Sequence, residues 1–222
     1  MSPLITPRAM MDSKKMGLQE KKKKKRRKRI LAAATRLFQA RGYADTTINA
    51  IADKADVGVG TIYNYFSSKN EILLNIIADI FLEKKPHKLI HENDPAQTVI
   101  RFLGYYMDEF SIFEKEIWRG WFAALYQEPN LFERAYELDM KIVGELAGIC
   151  EEMQATCMIT DKIPPLKAAK LLYTPFIALV MSYIMLEDMD IHAAKKEFGS
   201  QVTLIFRGLR RFNYDPATRN PE

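Results

Sequence analysis

His87 and His91 stand four residues apart with Glu92 and Asp94 beside them, a spacing that could seat a transition metal on one helical face. They follow Pro86 in a stretch that reads as a linker. Solvated polar side chains account for them better, so no metal site is expected. Cys150 and Cys157 lie seven apart in what reads as one helix, about 10 Å apart along its axis and beyond the reach of a bridge. Two cysteines without framework spacing suit small buried apolar roles in a reducing cytoplasm. Nowhere does a nucleophile stand at motif spacing from a base, and there is no phosphate-binding loop. The expectation is a protein with no catalytic residues and no cofactor, not an enzyme. The densest polar cluster is different in kind. Thr61, Tyr63, Asn64, Tyr65 and Lys69 offer hydroxyls, an amide and an ammonium within nine residues, groups that recognise a surface through hydrogen bonds without breaking any bond in it.

The elements that must position this cluster follow from apolar spacing. Ile48, Ile51, Ala52 and Ala55 recur at helical intervals with Thr47 ahead of them as an N-cap, so a helix of about two turns begins there. Val57-Gly58-Val59-Gly60 puts two glycines and two β-branched residues where a continuing helix would want leucine or alanine. The helix therefore stops near Asp56 and the chain turns. From about Val59 a second helix resumes, with Ile62 and Phe66 on its buried side. Two helices joined by a three- or four-residue turn containing glycine form a helix-turn-helix, whose second helix enters the major groove of DNA. Ahead of the pair, Ile30, Leu31, Ala34, Leu37 and Phe38 form one helical stripe ending at Gly42. After it, Ser68 and Glu71 open a longer helix as a capping box, apolar at Ile72, Leu73, Ile76, Ile77, Ile80 and Phe81, and ending around Lys85-Pro86.

The stretch GYADTTINAIADKADVGVGTIYNYFSSKNEIL resembles the DNA-binding motif of the TetR family of one-component transcriptional regulators. The resemblance covers roughly residues 28–80 and rests on Phe38, Gly42-Tyr43, Thr47, Ile51-Ala52, Val57-Gly58, Gly60-Thr61-Ile62-Tyr63, Tyr65-Phe66 and Ser68-Lys69. It implies that Thr47, Val59, Gly60, Thr61, Tyr63, Asn64, Tyr65 and Lys69 face DNA. Thr47, Tyr65 and Lys69 suit phosphate positioning, which carries no sequence information. Thr61, Tyr63 and Asn64 reach base edges, the amide pairing with adenine and the methyl or ring packing on thymine methyls. Val59 and Gly60 depart from the Ser/Lys-rich start that many family members have there. The resemblance also implies a homodimer through the two C-terminal helices. Such a dimer needs a palindromic double-stranded operator with half-sites about 34–36 Å apart, or a multiple of that.

Charge is concentrated at one end. Residues 1–29 hold twelve Lys/Arg against Asp12 and Glu20, so this segment carries +10 of a total of +5, and the rest of the chain −5. Residues 1–27 read as a disordered basic arm, with the unbroken cations Lys21–Arg29 repelling one another into an extended form. Lys24, Lys25, Arg26, Arg27, Lys28 and Arg29 are the candidates for DNA-backbone contact beside the recognition helix. A solvated tail without such contacts is the other account. A third reading makes the arm a polybasic module for nucleic acid or anionic membrane without sequence specificity.

Everything beyond Pro95 has helical period and no segment alternates as a strand does, giving an all-α fold. The expected organisation is an arm over 1–27, a helix-turn-helix domain over 28–75, and a helical effector-binding and dimerisation domain over 76–214. Leu131–Ala155 is apolar on two faces, one of Leu131, Ala135, Leu138, Ile142, Leu146 and Ile149, the other of Tyr136, Met140, Val143, Ala147 and Cys150, so it should lie centrally. Phe102, Tyr106, Phe110, Trp118, Trp121, Phe122, Tyr136, Met140, Tyr173 and Phe176 crowd these helices and suggest a pocket for a small lipophilic effector. The last two helices, opened by Pro164-Pro165 and by Ile191, are heavier in apolar residues than a small bundle can bury, leaving surface for a second subunit. No secretory signal is seen, and the apolar run Leu171–Leu186 falls short of the ~20 residues that span a bilayer, so a cytoplasmic protein without membrane contact is expected.

Overall fold

A computed structural model of the chain describes residues 7–83 and 94–210. Among them every regular element is helical. The chain divides into two compact units, Met1–Ile76 and Ile77–Glu222.

In the first unit, α1 runs Pro7–Arg41, α2 Ile48–Ala55, α3 Val59–Tyr63 and α4 starts at Lys69. Ile30, Leu31, Ala34, Leu37 and Phe38 of α1 are buried together with Ile51, Ala52, Ala55, Ile62, Phe66 and Ile72, the stripes read from spacing. Gly42 ends α1 at φ 77°, its N–H returning 2.9 Å to the Phe38 carbonyl, as a left-handed C-terminal stop requires. The basic segment departs from expectation. Lys21–Arg29 is not an extended arm but part of α1. A helix anchored by the Ile30–Phe38 stripe grows N-terminally without a new nucleation cost, and Lys and Arg are good helix formers. Residues 1–6 lie outside the described residues.

The opening of α4 (Lys69–Glu83) modifies the expected capping box. Ser68 Oγ accepts from Glu71 N at 3.1 Å, but the Glu71 carboxylate reaches one residue further back, to the N–H and hydroxyl of Ser67 at 2.6 and 2.5 Å. Its predicted end at Lys85-Pro86 lies outside the described residues, as do His87, His91 and Glu92.

The second unit holds the rest of α4 and α5 (Pro95–Glu109), a 3-10 turn (Phe110–Ile112), α6 (Lys115–Gln127), α7 (Pro129–Ala155), α8 (Pro165–Met185) and α9 (Ile191–Arg210). Asp94 caps α5, its Oδ1 accepting from Ala96 N at 3.0 Å, and Pro95, Pro129 and Pro165 each open a helix where their missing N–H costs nothing. Val99, Leu103, Tyr106, Phe110, Phe113, Ile117, Trp118 and Trp121 are buried, and the Trp118 indole donates to the Phe110 carbonyl at 2.8 Å. Lys115 closes the end of α8, its ammonium 2.7–3.1 Å from the carbonyls of Leu186, Glu187 and Met189.

Two readings need correction. The second apolar face of α7 is buried only at Val143 and Cys150, while Tyr136 is 50% exposed, so the helix is central in its C-terminal half alone. Cys157 is outside that helix: α7 ends at Ala155, and Cys157, at φ 57°, is the left-handed residue of the stop, with Met158 N–H reaching the Met153 carbonyl at 2.8 Å. Cys150 is buried and Cys157 exposed. Burial pushes the Cys150 thiol up to about 11. At 21 residues, α8 continues through Pro175 and is by length and composition apolar enough to cross a bilayer, with 50% of its most apolar window buried inside the unit. That differs from the shorter run read from sequence.

Candidate nucleic-acid interface and effector cavity

The helix pair is set by its caps. Thr47 Oγ1 accepts from Ala50 N at 3.2 Å to start α2. The helix stops on Asp56, at φ 51° and ψ 57°, with Val57 N–H bonded to the Ala52 carbonyl at 3.0 Å and Asp56 N–H to the Asp53 carbonyl at 3.1 Å. Asp tolerates this left-handed position better than most residues. The turn therefore does not depend on its glycines. Gly58 is the extended N-cap of α3, at φ −71° and ψ 149°. Gly60 lies within α3, and a Cβ built on it would meet nothing within 4 Å. Arg29 reinforces the turn from α1, its Nη2 donating to the Ala55 carbonyl at 2.5 Å and to the Asp56 carbonyl and carboxylate at 3.1 Å each.

The second helix is shorter than expected, ending at Tyr63: Ile62 is its buried residue, and Phe66, buried as well, lies beyond its C-cap Asn64. Of the predicted contact residues, Val59, Gly60, Thr61 and Tyr63 lie in α3, Asn64 and Tyr65 follow it and Thr47 caps α2; Thr47, Gly60, Tyr63 and Asn64 are exposed, Tyr63 by 55%, and Val59, Thr61 and Tyr65 are half-buried. Among the described residues no hydrogen bond or ion pair engages the side chains of Thr61, Tyr63, Asn64 or Tyr65, whereas the Thr47 hydroxyl serves as the α2 cap. Lys69 is different. Its ammonium donates to the carbonyls of Tyr43 at 2.7 Å, Thr46 at 2.9 Å and Ala44 at 3.3 Å, and lies 4.3 Å above the Tyr43 ring. Burial lowers its pKa, opposed by the Asp45 carboxylate. The expected phosphate donor is thus committed to closing the loop between α1 and α2. Of the arm, Lys24, Lys25, Arg26 and Lys28 are exposed on α1. Arg27 donates to Asn75 Oδ1 at 2.8 Å and Arg29 to the α2 stop, so these two hold the first unit together.

In the second unit a cavity of about 70 Å³ opens among α4, α6, α7 and α8. Phe110, Trp118, Trp121, Phe122, Tyr173 and Phe176 line it as the sequence suggests, with Ile77, Phe81, Leu125, Ala135, Leu138, Asp139, Ile142 and Ile177 completing the wall. Four predicted residues stand elsewhere. Phe102 and Tyr106 pack edge to face at 5.4 Å in the core, Tyr136 stacks on Phe132 at 6.4 Å on the surface, and Met140 is half-buried outside the lining. The group missed was Asp139. It lies on the lining face of α7 at helical spacing from Ala135 and Ile142 and next to Leu138, and an acid on an apolar stripe was a legible signal. Its Oδ1 accepts from the Tyr173 hydroxyl at 2.9 Å. Burial raises the Asp139 pKa, only partly offset by that hydrogen bond, and burial also raises that of Tyr173. Among the described residues no cluster of three or more metal-ligating side chains is present.

Comparison with known proteins agrees with this arrangement. Residues 30–76 match the bacterial regulatory proteins, tetR family. The chain is 33% identical over 119 residues to the uncharacterized HTH-type transcriptional regulator YhgD of Bacillus subtilis, covering 54% of this chain and 52% of that one. It is 36% identical over 72 residues to the HTH-type transcriptional regulator HbdR of Aromatoleum sp., covering 31% of each. The matches thus span about half or less of these relatives. Among solved structures, a putative TetR-family regulator from Syntrophomonas wolfei superposes with a TM-score of 0.67 at 20% identity over 86% of this chain and 100% of that one. The Thermus thermophilus FadR repressor in complex with lauroyl-CoA gives 0.67 at 19% over 87% and 100%. At such identities these two speak for the fold alone, while residues 30–76 carry a DNA-binding segment similar to that of the TetR family of transcriptional regulators.

Proposed function

We propose that this protein is a cytoplasmic, sequence-specific DNA-binding repressor that grips a palindromic operator as a homodimer and is released by a small lipophilic effector. The observation that carries the reading is the division of α3. Ile62 of α3, with Phe66 just beyond the helix, is spent on the core, while Gly60, Thr61 and Tyr63 of α3 and its C-cap Asn64 present an open glycine, a hydroxyl, a phenol and an amide, a set suited to base edges. Thr47 and Tyr65 flank it as phosphate contacts, and Lys24, Lys25, Arg26 and Lys28 extend the positive surface along α1. The dimer is supported by Leu166 and Leu171 on α8 and Leu204 on α9, exposed by 49%, 48% and 60%, apolar surface on the two helices assigned to the interface. The effector reading rests on the cavity. Its lining includes Ile77 and Phe81 of α4, the helix that also begins beside the reading head, so a ligand displacing Phe81 acts on an element shared with it. Such a ligand needs about 1–3 kcal/mol of differential affinity between DNA-competent and released states.

Selection of bound sequences from a random duplex pool at ~150 mM salt tests this, using the full chain and a variant with Lys24, Lys25 and Arg26 changed to glutamine. An enriched palindrome whose binding is weakened by Asn64→Ala or Tyr63→Ala is expected. The exposed cations of α1 sustain one other reading, a polybasic module. That reading predicts no enrichment, and binding that disappears with salt and with the glutamine substitutions.

A further inference from the structure

Asp139 is the one formally charged residue among those lining the cavity, and the lining is otherwise almost wholly hydrocarbon and aromatic ring. It projects from α7 toward Tyr173 on α8, and that hydroxyl satisfies one carboxylate oxygen at 2.9 Å. No donor among the described residues reaches the other. Apolar walls around a carboxylate with one oxygen served disfavour its charged form, so that charge lacks a partner until one is supplied. A ligand head that donates hydrogen bonds, above all a cation, restores what the walls withhold. A second carboxylate brought to the same place adds like-charge repulsion in a medium that screens it weakly.

We propose that the cavity selects a lipophilic amine: an apolar body packed against Trp118, Phe122 and Phe176, with its ammonium on the free oxygen of Asp139, and that it discriminates against fatty carboxylates of equal length. This rests on the effector-pocket reading above and deepens it. The void of about 70 Å³ is about half of one that accepts benzene, so a longer body enters by turning aside half-buried side chains such as Phe122 and Leu125. Tyr173 holds the Asp139 carboxylate in place by its hydrogen bond and so acts as a positioning residue.

The chain has two tryptophans and both line the cavity, so intrinsic fluorescence reports occupancy directly. The experiment titrates the full-length protein with 1-octylamine, 1-octanol and octanoate, each below its micellar concentration, with calorimetry as a second readout. The amine is expected to bind at least about tenfold tighter than octanoate, with octanol between them. Asp139→Asn keeps an acceptor for Tyr173 and should shrink the amine-to-octanoate ratio below about threefold. Tyr173→Phe, which keeps the acid but removes the hydrogen bond that holds it, should weaken amine binding while retaining a preference for amine over octanoate. Octanoate binding as well as or better than the amine would overturn the head-group assignment while leaving a lipophilic pocket standing. An amine preference undiminished in Asp139→Asn would overturn it too, by placing the attraction elsewhere on the acidic body of the chain. No response to any of the three would remove the effector-pocket reading and this inference with it.

Discussion

Replacing Gly60 with alanine separates what the fold needs at this position from what a bound duplex needs. Gly60 lies inside α3, and the one glycine with positive φ among the described residues is Gly42. An added Cβ meets no atom within 4 Å. Glycine within a helix costs roughly 0.5–1 kcal/mol relative to alanine, so Gly60→Ala should stabilise the protein by that order. At about 2–4 °C per kcal/mol for a chain of this size, Tm should rise by about 1–4 °C. The DNA complex should respond in the opposite direction. A new carbon stands ~1.5 Å from Cα, and a backbone lying against a base pair or sugar must recede by a comparable distance, taking neighbouring hydrogen bonds beyond ~3.5 Å. Losing one good base contact costs about 1–3 kcal/mol, a weakening of about 5- to 150-fold. Urea or thermal denaturation followed by far-UV dichroism gives the first quantity. Fluorescence anisotropy on the selected operator at ~150 mM salt gives the second. A variant that is less stable would show that the fold itself requires this glycine. One that is more stable yet binds with unchanged affinity would show that the backbone of α3 does not approach the duplex.

Three further outcomes are expected. Lys69→Ala should destabilise the protein by about 1–3 kcal/mol, because three loop carbonyls lose a charged donor, and should leave the slope of log affinity against log salt unchanged; a slope smaller by about 0.9 would instead mark a phosphate contact. Asp139 has a raised folded-state pKa, so it binds its proton more tightly folded than unfolded, and stability should fall as pH rises from about 4 through that raised value. Asp139→Asn should remove this slope in urea denaturation measured across pH, and a slope that persists in the variant would assign it to other groups. Cys157→Gly should gain about 0.5–1 kcal/mol by relieving a side chain at φ 57°. In the wild type a thiol reagent should modify Cys157 promptly and Cys150 only on unfolding, since Cys150 is buried with its pKa pushed up to about 11. Two fast thiols would contradict that burial.

Local rules were enough to read some of this protein from its residues. Apolar stripes such as Ile30–Phe38 and Val99–Phe113 announce the buried face of each helix because side-chain direction repeats every 3.6 residues. Gly42, Thr47, Asp94 and the prolines at 95, 129 and 165 mark helix ends because each answers a backbone requirement within a few residues of itself. The helix pair with its exposed Tyr63 and Asn64 was legible for the same reason. What sequence spacing could not decide is who meets whom across the chain. Lys69 meets Tyr43, Ala44 and Thr46 some 23–26 residues away, Arg29 closes the stop of α2 at 26 and 27 residues, and Tyr173 meets Asp139 at 34. A lysine or arginine reads as a phosphate contact until packing supplies nearer carbonyls, and an aromatic reads as pocket or core alike until the helices choose their faces. The basic segment taught the reverse lesson: its cations carry no period, and only its attachment to an anchored α1 made it helical. Sequence determined where helices start, stop and turn their apolar sides. Tertiary packing alone decided which polar groups remain available to a partner, because that depends on which acceptors the fold brings within 3 Å.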